Sequence, residues 1–129
     1  MRILREDAVA LVVDYQEKLV PVMNEKEFLI ERSQILLQGL KILGVPMIIT
    51  QQYTKGLGTT VENIRSAAGK SDYIEKISFS AYEQVKDQIE GMKYVIVCGI
   101  ESHICVLQTV IDLAAAGYVP VVVEDCISS

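Results

Sequence analysis

Apolar residues fall in short blocks along this chain, and polar, glycine-containing stretches separate them. Ala8-Val-Ala-Leu-Val-Val13 is a continuous apolar run closed by Asp14, the pattern of a strand buried on both faces. Pro46-Met-Ile-Ile-Thr50 repeats that pattern, and Tyr73–Ile77, Lys93–Cys98 and Val119–Glu124 predict three further strands. Helical spacing fills the intervals. Asn24 is placed to cap a helix running to about Leu43. Its stripe is Phe28, Leu29, Leu36, Leu37, Leu40 and Leu43, and Gly44 is its stop. Gln51–Thr60 is a polar loop, with Thr60 predicted to cap a short helix through about Ala68. Ser80-Ala-Tyr-Glu83 has the S-x-x-E spacing of a capping box and opens a helix to about Glu90. A last helix is expected from about Ser102 to Ala116, ended by Gly117.

Strand and helix alternate throughout, which predicts parallel connections and an α/β sheet covered by helices on both faces. No repeat, low-complexity tract or linker divides residues 1–129, so one domain is expected. The chain stops at Asp125-Cys-Ile-Ser-Ser129, directly after a predicted strand. A near-central parallel strand ordinarily needs a further helix over it, so the expectation is a domain lacking its C-terminal portion.

Half of the residues are apolar and mean hydropathy is +0.30, enough for a proper core and unlike a disordered chain. The apolar runs are far too short to span a bilayer, and the opening MRILREDA lacks the apolar core of a signal peptide. Net charge is −5 with no Lys/Arg cluster, which argues against nucleic acid or an anionic membrane as partner. Without Trp and with two Phe, no base-stacking platform is expected either. Three cysteines lack the spacing of a disulfide framework or zinc ribbon and read as reduced thiols of a cytoplasmic protein. A single histidine makes a His-rich metal site hard to build. No cofactor or metal is therefore expected.

In an open parallel sheet the functional groups gather beyond the C-terminal ends of the strands. Those ends supply Asp14, then Gln51 and Gln52, then Lys76, then Gly99–Cys105, then Glu124–Cys126. Cys105 is expected in about the first turn of its helix, where free N–H groups and the helix dipole favour a thiolate and could hold an oxyanion. An acid can take and return a proton, and a lysine can stabilise both carboxylate and thiolate. Each residue also has a plainer reading. Asp14 could be a turn former, Lys76 solvated, and Cys105 core packing; Cys98 reads as core, and Cys126 is a rival nucleophile. His103, two residues from Cys105 on a helix, points to a different face.

Taken together, these segments resemble the isochorismatase-like cysteine hydrolases across essentially the whole chain. Ala10-Leu-Val-Val-Asp-Tyr-Gln16 is similar to the family's first strand and catalytic aspartate. Gln51-Gln-Tyr-Thr-Lys-Gly-Leu-Gly58 resembles the E-Q-Y-P-K-G-L-G loop of the isochorismatase-domain branch. Glu75-Lys-Ile-Ser-Phe-Ser80 resembles the K-x-x-F-S segment, and Gly99-Ile-Glu-Ser-His-Ile-Cys-Val106 the G-I-E-x-H-x-C-V nucleophile motif. The resemblance implies Asp14 as general base and acid, Lys76 as electrostatic partner and Cys105 as nucleophile. It also implies a non-proline cis peptide at Ile100–Glu101 that aims the Glu101 and Cys105 N–H groups at the oxyanion. The loop at Gln51 lacks the Asp-x-His metal motif of nicotinamidase members, which points away from zinc and from that activity. True isochorismatases need no cysteine nucleophile, so Cys105 favours thiol chemistry.

The resulting expectation is a three-layer α/β/α fold with strand order 3-2-1-4-5 and a sixth strand missing. Its activity would be hydrolysis of a small amide or related acyl compound through an acyl-enzyme on Cys105. Gln16, Gln52, Tyr53, Phe79 and Tyr82 are expected to line the substrate site, and the protein to be a homo-oligomer. The alternatives are a non-catalytic scaffold of the same fold and a thiol redox sensor using Cys105.

Overall fold

A computed structural model describes residues 1–129. In chain order it contains β1 (Ala8–Val13), α1 (Lys26–Leu43), β2 (Met47–Gln52), α2 (Thr54–Leu57), α3 (Glu62–Ala68) and β3 (Ile74–Lys76). Then follow α4 (Tyr82–Ile89), β4 (Tyr94–Ile100), a π-helical turn (Ser102–Val106), α5 (Leu107–Ala115) and β5 (Val119–Ser128). The sheet has the order β3-β2-β1-β4-β5 and every pairing is parallel. This is the α/β architecture and strand order that the apolar runs and the family resemblance predict.

Because β1 is fully buried, its alternate residues feed two separate cores. Ala8, Ala10 and Val12 face Leu29, Leu37 and Leu40 of α1 and Ile64 of α3. Val9, Leu11 and Val13 face Val85 and Ile89 of α4 and Leu113 of α5. Each fully buried leucine or isoleucine contributes about 1.5–3 kcal/mol, so both faces of the sheet are strongly held. No helix is long and apolar enough to cross a membrane.

Helix ends depart from the sequence pattern where a tertiary partner claims the capping residue. Asn24 does not cap α1: its backbone N–H donates to Ser129 O, its carbonyl accepts from Ser128 Oγ, and left-handed Glu25 precedes the helix. Thr60 does not cap α3, because its hydroxyl donates to Gln51 Oε1. Ser80 Oγ accepts from Tyr82 N, but Glu83 pairs with Lys86 instead of completing a capping box. Glycine stops behave as predicted: Gly44 is left-handed and its N–H meets the Leu40 and Lys41 carbonyls. The predicted polar loop contains the short helix α2, and β5 extends to Ser128 past a register shift opposite Val97–Gly99.

Candidate active site

β1 and β4 are adjacent, and the chain leaves them in opposite directions along the sheet, so a crevice opens at their C-terminal ends. Asp14 directly follows β1 and takes a left-handed conformation (φ 54°) that aspartate tolerates better than most residues. Its N–H donates to Thr50 O at 3.2 Å, and its Oδ1 accepts from Thr50 Oγ1 at 2.8 Å. β2 thereby fixes Asp14 through both its backbone and one carboxylate oxygen.

Gly99 lets β4 come this close. It pairs with Val13, has φ 131°, and a Cβ there would lie 2.1 Å from the Val13 carbonyl oxygen. Beyond it, Ile100–Glu101 is a cis peptide, the geometry that the resemblance implies. Cys105 follows in the π-helical turn, where Val106 N–H reaches back to Glu101 O. The nucleophile candidate thus precedes α5 and does not occupy the first turn of an α-helix, a correction to the sequence expectation. An isolated π turn inside a helical segment has no apolar signature separating it from α-helix.

Lys76, the last residue of β3, has a completely buried side chain, and its Nζ lies 2.8 Å from Asp14 Oδ2, itself completely buried. The ammonium also donates to Phe79 O at 2.7 Å, Gln52 Oε1 at 2.8 Å and Ser78 O at 3.1 Å. Four oxygens thus surround the ammonium, with Asp14 Oδ2 as its ion-pair partner. Both groups act on the Cys105 thiol. Burial, and secondarily the Asp14 charge, push that thiol up to about 11, against the opposing pull of Lys76. The candidate nucleophile therefore rests as a thiol and not as the thiolate expected from a helix N-terminus.

The other cysteines lie elsewhere. Cys98 and Cys126 belong to the core on the α1 side of the sheet, whereas Cys105 belongs to the α4–α5 side. Burial pushes the Cys98 thiol up to about 12, and burial with the Asp125 charge pushes Cys126 up to about 11. His103 is exposed, with Nδ1 2.7 Å from Ser129 Oγ. No cluster of three or more His, Cys, Asp or Glu side chains is arranged to hold a metal ion.

The expected substrate-site residues separate into two groups. Gln52, Tyr53, Phe79 and Tyr82 are exposed or half-buried around Lys76 and the start of α4. Gln16 is fully buried, and its amide is committed to backbone: Nε2 donates to Gln52 O and Gly58 O, and Oε1 accepts from Gln52 N. It holds the loop after β2 in place.

Thr109 is the site residue that sequence patterns miss. A threonine in mid-helix reads only as a weak helix former, yet this buried hydroxyl donates to Cys105 O at 2.6 Å and accepts from Ala81 N at 2.9 Å. It ties the π turn to the start of α4. Thr109→Val keeps the shape but strands a buried N–H and a buried carbonyl, so a loss of about 1–3 kcal/mol is expected in urea unfolding. Thr109→Ser should recover most of that loss; equal destabilisation by serine would assign the effect to packing.

Comparison with known proteins identifies what this arrangement is similar to. The isochorismatase domain model matches residues 8–129. Isochorismatase domain-containing protein 1 of Danio rerio is 35% identical over 95% of this chain and 44% of its own length. Isochorismatase domain-containing protein 2 of Danio rerio is 36% identical over 99% of this chain and 66% of its own length. The present chain thus spans under half of the first relative and about two thirds of the second. Among solved structures, the MAR1 ribonuclease of Caenorhabditis elegans superposes with a TM-score of 0.92 and 34% identity, over all of this chain and 68% of that one.

Proposed function

This chain belongs to the isochorismatase family, and we propose that it is a cysteine hydrolase acting on a small amide or related acyl compound. One observation carries the reading. A buried carboxylate lies 2.8 Å from a buried ammonium, and both sit near the Cys105 thiol, the carboxylate helping burial to hold its proton on. An acceptor for that proton is what such a thiol requires before it can attack.

In the proposed reaction Cys105 Sγ adds to the substrate carbonyl as Asp14 Oδ2 takes the thiol proton. The Glu101 and Cys105 N–H groups hold the oxyanion, and Asp14 gives its proton to the leaving amine. Water, deprotonated by Asp14, then attacks the thioester, releases the carboxylic acid and restores the thiol. Lys76 keeps a buried negative charge compensated throughout. Gln52, Tyr53, Phe79 and Tyr82 are the proposed contacts to substrate. Exposed Leu107 and Ile111 on α5 support self-association as part of the same reading.

Mass spectrometry after iodoacetamide treatment tests the nucleophile. Labelling at Cys105 is expected to accelerate steadily from pH 7 toward pH 11, because the reactive thiolate grows as pH approaches the raised titration point. Cys105→Ala should abolish both labelling at that site and hydrolysis. Selective labelling of Cys126 with Cys105 inert would sink the assignment.

The ribonuclease named among the structural relatives raises a second reading, phosphodiester cleavage. Against it stand the net charge of −5 and the absence of a Lys/Arg cluster to hold a polyanion. Cleavage of RNA that disappears in Cys105→Ala would overturn this preference.

A further inference from the structure

Resting on the cysteine-hydrolase reading, we propose that Gln52 is a positioning residue of the site, its side-chain amide setting how much of the Lys76 charge reaches Asp14 and Cys105. Four oxygens surround the Lys76 ammonium: Phe79 O at 2.7 Å, Gln52 Oε1 and Asp14 Oδ2 at 2.8 Å, and Ser78 O at 3.1 Å. An ammonium has three protons, so these four acceptors divide them. Two of the four are backbone carbonyls, which a change of side chain leaves in place, and a third is the proposed proton acceptor. Gln52 is the remaining side chain. Its neutral oxygen takes a share of the ammonium without adding a charge.

The orientation of that amide is fixed from several sides. Gln52 and Lys76 are paired neighbours on β2 and β3, so their side chains leave the sheet on the same face. Gln52 Nε2 donates to Ile77 O at 3.1 Å, which turns Oε1 toward the ammonium; the flipped amide would set donors against a cation. Gln16 holds the backbone beneath it, accepting from Gln52 N at 2.6 Å and donating to Gln52 O at 2.8 Å. One proton of Nε2 is left over, so this role and contact with substrate are compatible.

The charged groups that act on the Cys105 thiol are Asp14, beyond β1, which favours the protonated form, and Lys76, at the end of β3, which opposes it. A carboxylate in place of the Gln52 amide would offset the lysine and hold the thiol proton more firmly. An apolar side chain there would take an oxygen away from the ammonium and leave more of its charge for the thiolate. Two substitutions at Gln52 thus move the thiol in opposite directions. An amide that merely braced the loop would not behave so, because either replacement loses the bond to Ile77 O.

Gln52→Glu and Gln52→Leu, both close to glutamine in size, test this in the whole chain. Alkylation of Cys105 by iodoacetamide is followed by mass spectrometry at one fixed pH, at a temperature where melting curves show every variant folded. The Cys105 sulfur bonds to the methylene carbon, the carbon–iodine bond breaks, and iodide leaves. The reagent is neutral, so a charge at Gln52 neither attracts nor repels it. Gln52→Glu is expected to slow the reaction by about tenfold, the effect of a thiol that titrates one pH unit higher. Gln52→Leu is expected to speed it by about threefold, the effect of titration half a pH unit lower. A change of access would move both rates the same way.

Unchanged rates, or rates displaced in one common direction, would overturn the positioning role and leave the nucleophile reading intact. Cys105 inert in the unaltered chain while Cys126 is alkylated would overturn the hydrolase reading, and this inference with it.

Discussion

Asp14→Asn is expected to lower hydrolytic turnover by about 10²–10⁴-fold, the usual worth of a positioned general base, while Cys105 alkylates at least as fast at neutral pH. The two effects separate because the carboxylate does two things to the thiol. In the proposed reaction it accepts the proton, which hydrolysis would require at each turn of the cycle. Its charge also helps, after burial itself, to hold the thiol proton in place, while Lys76 pulls the other way. Asparagine loses both properties yet keeps an oxygen for the Thr50 hydroxyl. Simple alkylation, which needs thiolate but no return of the proton, should thus persist or accelerate. Leaving Lys76 unpaired in a buried site is itself costly, so the variant's melting must be followed alongside; losing one partner of a buried pair costs about 3–5 kcal/mol. Undiminished hydrolysis in a folded Asp14→Asn protein would remove Asp14 from the mechanism.

Gly99→Ala should be the most damaging single methyl in the molecule. The added carbon would sit 2.1 Å from Val13 O and 2.8 Å from both Val13 C and Cα, all of them backbone atoms that no rotamer change can move aside. Gly99 also holds φ 131°, which side-chain-bearing residues rarely adopt. Either β1 and β4 separate or the strand distorts, and both responses displace Asp14, the residue after Val13. A loss of about 3 kcal/mol or more is expected, the upper end of overpacking penalties, seen as a lower urea midpoint together with lost activity. Gly39→Ala is the control: its added carbon meets nothing within 4 Å in the interior of α1. It should stabilise the protein by about 0.5–1 kcal/mol on helix propensity alone. Equal behaviour of the two variants would contradict the close β1–β4 approach.

The sheet was legible because its central strands are continuous apolar runs with an acid or glycine at the end, a pattern that survives without tertiary information. Asp14, Lys76 and Cys105 were legible as candidates for the same reason: each lies at or beyond the C-terminal end of a strand, and those ends share one edge. Side chains with two available partners were not. Asn24, Thr60 and Ser80 all have the chemistry of helix caps. Yet Asn24 is bound through its backbone to Ser128 and Ser129, the Thr60 hydroxyl goes to Gln51, and Ser80 meets Tyr82 N without Glu83 completing the box. Thr109 hides for the complementary reason, since its partners Ala81 and Cys105 lie on different elements and nothing local requires a hydroxyl. The protonation state of Cys105 could not be read from position, because burial beside a carboxylate outweighs whatever the helix contributes.

Gln16 bears on how small a ligand this protein can recognise. Its amide grips Gln52 and Gly58, the two ends of the loop that carries Tyr53 and α2, with bonds of 2.6–2.9 Å. Glu75 adds its own grip on Thr54 N and Oγ1 at the middle of that loop. The conformational freedom of this loop is thus surrendered when the chain folds, not when a ligand arrives. A ligand of few atoms has at most about 1.5 kcal/mol per non-hydrogen atom to offer and can ill sustain the ordering of a mobile loop. A preformed loop would leave that small sum available for the orientation that the proposed acyl transfer needs.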